Sequence, residues 1–204
     1  MKIKLQNAGK RFNREWIFKN ANLEFTSENS YAITGPNGSG KSTLLQSIGG
    51  LLQLSEGEIS YDNGEKITPD VAYKQVSFCA PSLELIEEMT LIEFFQFHSQ
   101  FKNFYDNITL DDIVKILDLE TAALKQIRYY SSGMKQRVKL AQAILFNSDI
   151  ILLDEPCSNL DTKGINLYHH LIEQYCKQRL VFVSSNDEIE YRFCTQIINI
   201  LDFK

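Results

Sequence analysis

The chain has only four cysteines, Cys79, Cys157, Cys176 and Cys194, and no two of them form a C-x-x-C pair. That spacing argues against a disulfide framework or a thiolate metal site and predicts reduced, partly buried thiols in a cytosolic chain. Histidine is scarcer still, and His98, His169 and His170 make no metal-spaced set with the cysteines. No apolar run approaches the ~20 residues that span a bilayer, so contact with a membrane is expected only through a partner. Met1-Lys2-Ile3-Lys4-Leu5 runs straight into polar residues, which predicts no signal peptide. Basic charge is not in excess either. The formal net charge is −5 and the pI is near 5.3, which speaks against a chain built to coat nucleic acid. Repeats, low-complexity tracts and flexible linkers are missing, so one domain with an insertion is the expected organisation.

What is present is ordinary globular composition, 44% hydrophobic and 23% charged over 204 residues, enough for one α/β domain with a core of its own. Residues 3–6, 16–18 and 23–25 alternate as strands, with a turn at Asn13-Arg14. Residues 31–33, 55–61 and 76–79 read as further strands, with a hairpin turn at 62–64. From Leu91 to Leu124 the apolar residues recur at helical spacing, and Thr109 or Asp111 offers N-cap chemistry for the second helix. The five phenylalanines between 94 and 104 read as packed core. After Asn147 the order is strand, helix, strand, helix, strand, with a helix over 162–177 and the last strand over 196–201.

The most informative run is Gly35-Pro36-Asn37-Gly38-Ser39-Gly40-Lys41-Ser42-Thr43. It fits G-x-x-x-x-G-K-[ST], lies between a strand and a helix, and should arise by chance in fewer than roughly 1 in 100 chains of this size. Glycines let successive N–H groups turn toward phosphate oxygens, and the helix start adds positive potential there. Lys41 can reach β- and γ-phosphates, and the Ser42 hydroxyl suits Mg²⁺. A nucleoside triphosphate site is implied. The second signal is Ile150-Ile151-Leu152-Leu153-Asp154-Glu155, a buried strand ending in two carboxylates. This is the Walker-B arrangement, with Asp154 toward Mg²⁺ and Glu155 as general base for the attacking water.

The third signal is Tyr130-Ser131-Ser132-Gly133-Met134-Lys135-Gln136-Arg137. Here the chain resembles the nucleotide-binding subunits of ATP-binding cassette (ABC) transporters, whose export-type members often carry Tyr-Ser-x-Gly-Met-Lys-Gln-Arg. Ser158-Asn159-Leu160-Asp161 resembles the family's D-loop, and the likeness runs from about Ile3 to Leu201. The resemblance implies an α/β fold: a P-loop NTPase (RecA-like) core, an N-terminal antiparallel β subdomain, and a helical insert at about 82–135 within a single domain, 1–204. It implies ATP and Mg²⁺ as ligands. It also implies that Ser131, Ser132 and Gly133 act across a head-to-tail dimer, with Asp161 in the D-loop. The resemblance further implies an aromatic ring stacked on adenine, Phe12 first and Trp16 second.

Three positions depart from the family's pattern. Ser132 replaces the first signature glycine, so its Cβ narrows the backbone's choices. Pro81 stands where a glutamine contacts Mg²⁺ and water. Asn186 stands at the switch histidine, where it can donate a hydrogen bond to the γ-phosphate but carries no positive charge. The expectation is an ATP hydrolase, slow in turnover because of Pro81 and Asn186, that drives export through a separate membrane-embedded subunit docked near 81–90. It would dimerise with itself or a related cassette on binding ATP and lie at the inner face of the cell membrane, with no nucleic acid partner. Two alternatives stand beside it: a nucleotide-gated interaction module with little turnover, and a soluble cassette ATPase acting on ribosomes or DNA.

Overall fold

The computed structural model describes residues 1–64 and 66–204, with Lys66, Pro69 and Asp70 described by backbone alone. In chain order the elements are β1 (Lys2–Phe12), β2 (Glu15–Thr26), β3 (Ser30–Thr34), α1 (Lys41–Ile48), β4 (Glu56–Asp62), β5 (Lys66–Ile67), α2 (Pro69–Ala72), β6 (Val76–Cys79), α3 (Leu91–Ser99), α4 (Leu110–Ile116), α5 (Ser132–Ile144), β7 (Ile150–Asp154), α6 (Thr162–Tyr175), β8 (Leu180–Ser184), α7 (Glu188–Tyr191) and β9 (Gln196–Asn199). No helix among the described residues is long and apolar enough to cross a membrane. The chain divides into two compact units.

The first unit comprises Met1–Val76, Asp149–Asp154 and Gln178–Lys204. Its antiparallel sheet runs β2-β1-β4-β5. The segments 16–18 and 23–25 belong to one strand, not two. Three register shifts between Leu5 and Arg11 let β1 and β2 stay paired along their length, and Asn7 and Asn20 take left-handed φ values of 47° and 54° there. Asparagine tolerates that conformation better than other non-glycine residues, so it can absorb the extra residue of a bulge. The parallel strands of this unit run in the order β7-β8-β3-β9. All five residues of β7 and all five of β8 are buried, as expected of central parallel strands covered on both faces. Phe25 of β2 meets Tyr31 and Phe182 edge-on, with centroids 4.9 and 4.8 Å away, and so ties the two sheets together. The last strand stops at Asn199, and a 3-10 turn takes Ile200–Phe203.

The second unit comprises Ser77–Ser148 and Glu155–Lys177. Both helices of the 91–124 stretch begin with reciprocal caps, Thr90 with Glu93 and Thr109 with Asp112. Thr109, not Asp111, is the second cap. Phe94 and Phe95 are core residues, and Phe95, His98 and Phe104 surround Phe146 at 6.0, 4.4 and 4.9 Å. The reading of all five phenylalanines as core is corrected: Phe97 and Phe101 are 43% and 74% exposed. Phe97 lies on α3 and Phe101 just past its end at Ser99, and their rings meet edge-on at 5.2 Å.

Candidate functional site

The run 35–43 spans the turn after β3 and the first residues of α1, in the strand–turn–helix context expected. Gly40 is the N-cap of α1 in a left-handed conformation, and no side chain caps the helix. Its first-turn N–H groups are therefore orphan donors at the positive end of the helix, which makes an anion site. Lys41, only 6% exposed, folds back across the loop and donates to the Gly35 carbonyl at 2.8 Å and the Pro36 carbonyl at 3.4 Å. Asn186 joins the same loop from the end of β8. Gly35 N donates to Asn186 Oδ1 at 3.3 Å, and Asn186 Nδ2 donates to Asn37 Oδ1 at 3.0 Å. Asn186 is thus held against the loop by both ends of its amide.

Asp154 ends β7 and is 7% exposed, yet its Oδ1 has no hydrogen-bond partner among the described residues. A buried carboxylate oxygen left alone costs more than a neutral group would, and a hydrated hard cation satisfies such an oxygen. With the Ser42 hydroxyl, the donor set is all oxygen, as Mg²⁺ prefers, and the residues present fit that ion. Ser39 Oγ is likewise buried and unpartnered. Phe12 stands at the end of β1, 48% exposed, with Lys10 Nζ 5.2 Å from its ring centre. Trp16 instead packs over Gly9, where a Cβ would sit 3.0 Å from its ring. Phe12 is the more exposed of the two rings, and Trp16 is half-buried.

In the second unit, Glu155 follows β7 directly, exposed and with φ 43°. Left-handed backbone at a residue with a Cβ costs roughly 1–2 kcal/mol and is found where surroundings fix a side chain's direction. Ser131 caps α5 by accepting from Met134 N at 3.2 Å. Ser132 is the first residue of that helix and is not among the left-handed positions, so its Cβ strains nothing here. Gly133 lies under the Asn159 carbonyl, and a Cβ there would be 3.0 Å from that oxygen. The 158–161 segment and the start of α5 therefore approach closely at Gly133. Asp161 caps α6 through Gly164 N at 2.8 Å and pairs with Arg137 Nη2 at 3.4 Å. The Gly164 N–H, then Arg137, hold its carboxyl below the usual range.

Sequence reasoning gave Gln136 and Lys139 no role. Gln136 is 2% exposed and donates to the Pro156 carbonyl at 2.8 Å. Lys139 donates to the Pro81 carbonyl at 2.8 Å, and burial lowers its pKa. Both signals are long-range, and only their period along α5 could have hinted at them.

The ABC transporter family matches residues 18–158. The uncharacterized ABC transporter ATP-binding protein YybJ of Bacillus subtilis is 30% identical over 92% of this chain and 86% of its own length. The Fe(3+) ions import ATP-binding protein FbpC of Fusobacterium nucleatum is also 30% identical, over 79% of this chain but 44% of its own length. The ATP-binding cassette MJ0796, solved as a dimer in a post-hydrolysis state with ADP and Pi, superposes with a TM-score of 0.82 at 29% identity, covering 97% of this chain and 93% of that one.

Proposed function

The chain belongs to the ABC transporter family as an ATP-binding subunit, and from that premise we propose how its own residues bind and hydrolyse ATP. The carrying observation is that Lys41 and Asn186, 145 positions apart in the numbering, are both hydrogen-bonded to the loop that opens α1. The N–H groups of 35–43 hold the phosphates, Lys41 reaches their β- and γ-oxygens, and Phe12 stacks on the adenine. Ser42 and Asp154 hold Mg²⁺, which when bound supplies neutralisation of phosphate charge. Glu155 takes a proton from the attacking water. Asn186 donates a neutral hydrogen bond where charge develops, so turnover is slow.

Two copies, or this chain and a related cassette, pair head to tail. Ser131, Ser132 and Gly133 at the α5 N-terminus of one then meet the nucleotide held by the other, with Asp161 beside that interface. The whole of 1–204 acts as one ATPase domain with a helical subdomain at about 82–135. A membrane-embedded subunit docks near 81–90 and places the chain at the inner face of the membrane. Export is favoured by the 130–137 segment, although one relative at the same 30% identity is an import protein by name.

Paired variants test this reading. Lys41→Ala should abolish nucleotide binding by calorimetry while the fold persists. Glu155→Gln should bind ATP, accumulate as a closed dimer on size exclusion, and cease turnover. If Glu155→Gln and the native chain hydrolyse at one equally low rate, the chain is instead a nucleotide-gated interaction module, the reading that Pro81 and Asn186 favour.

A further inference from the structure

Asp154 Oδ1 is not the only solitary oxygen on its face of the sheet. Leu152 Cδ1 meets Gly49 at the end of α1, so the even positions of β7 face the P-loop helix, and Asp154 shares that face. The parallel register places Ser184 of β8 directly beside Asp154, and on its other side beside Ile33, two residues before Gly35. Paired residues of adjacent strands carry their side chains on one face, about 5 Å apart. Ser184 is 0% exposed, and its Oγ has no hydrogen-bond partner among the described residues. A buried hydroxyl without a partner is costly, and buried polar groups of this kind are nearly always satisfied by protein or by ordered water. Two such oxygens side by side, one a carboxylate, define a site for shared water. The neighbouring hydroxyl shows the contrast. Ser185 Oγ accepts from Asp187 N at 2.9 Å and is used up in its own turn.

We propose that Ser184 is a positioning residue for a hydrated divalent cation, its hydroxyl and Asp154 Oδ1 holding water of the cation's hydration shell. This rests on the ATP·Mg²⁺ reading of the loop. The hydroxyl acts through water, so it tunes metal affinity within the nucleotide complex and has no part in gripping the nucleotide itself. It also follows that removing the hydroxyl harms nothing in the folded chain when metal is absent, because it has no protein partner to lose.

Mn²⁺ titration followed by electron paramagnetic resonance at saturating ATP provides the readout, alongside calorimetric ATP binding in EDTA and nucleotide-free melting. Ser184→Ala should weaken Mn²⁺ about tenfold, the scale of one lost hydrogen bond. Metal-free ATP affinity should stay unchanged and the melting temperature unchanged or higher, and Ser184→Thr should restore Mn²⁺ affinity. Unaltered Mn²⁺ affinity in Ser184→Ala, or a loss matched by an equal loss of metal-free ATP binding, overturns the assignment and makes the hydroxyl structural. If the native chain itself binds no Mn²⁺ with ATP, the phosphate-loop reading fails first and this proposal falls with it.

Discussion

At Gly40 the structure separates two costs of adding a single methyl group. The residue has φ 100°, and a Cβ built on it falls onto Ile17 Cγ2. Gly38, at φ 76°, has nothing within 4 Å of the same atom. Alanine at either position meets the left-handed penalty of ~1–2 kcal/mol and recovers ~0.4–1 kcal/mol from a stiffer unfolded chain. Gly40→Ala alone adds overpacking, typically about 1–3 kcal/mol. The expected losses are therefore at most about 1.6 kcal/mol for Gly38→Ala and about 1–4.6 kcal/mol for Gly40→Ala. Ile17→Ala removes the obstructing methyl, so the double variant should recover most of the difference. Urea unfolding without nucleotide, on the native chain, the three single variants and the Gly40/Ile17 double, measures each term. Equal losses at 38 and 40, or a double variant that is additive within about 0.5 kcal/mol, would refute the reasoning.

Three further outcomes are expected. Asn186→His should raise the maximal hydrolysis rate with ATP affinity nearly unchanged and add a titration near neutrality to the pH–rate profile; an unmoved rate and profile would remove Asn186 from the switch position. Asp161→Asn keeps a cap but loses the charge. Because the native Asp161 pKa is depressed, its stabilisation is full above the unfolded value of about 3.9 and is lost as pH falls through the folded one. The melting-temperature gap between native chain and variant should thus be constant from pH 7 to 5 and close below about pH 4, and a gap that persists there contradicts the assignment. Phe12→Ala should weaken ATP binding by about two- to tenfold, the scale of one stacked aromatic, and more than Trp16→Ala does at equal folded fraction; the reverse order would hand the stacking role to Trp16.

Much of the site was legible because its chemistry is contiguous. The runs 35–43 and 150–155 carry their residue types within a few positions, and each lies where its pattern required. The run 130–137 is equally local, and of its two adjacent serines Ser131 is the helix cap. What stayed hidden is contact between distant residues. Nothing near Gly133 in the chain announces the Asn159 carbonyl above it, and nothing near Asp154 announces Ser184 beside it. The long β2 was read as two pieces because alternation breaks around Asn20, and a bulge is the condition under which a strand loses its period of two without ending. For the phenylalanines, helical spacing groups Phe97 and Phe101 with Phe94, but α3 ends at Ser99, and the two rings pair with each other at 5.2 Å and stay exposed.

The left-handed backbone at Glu155 also bears on how this chain can change over generations. Glycine is the residue that relieves that conformation at no steric cost, so a single substitution at 155 would stabilise the fold while deleting the proposed base. Asp154 has no such exit, since it is itself a buried residue of an extended strand. In a lineage where turnover no longer mattered, position 155 would drift to glycine first and position 154 would persist.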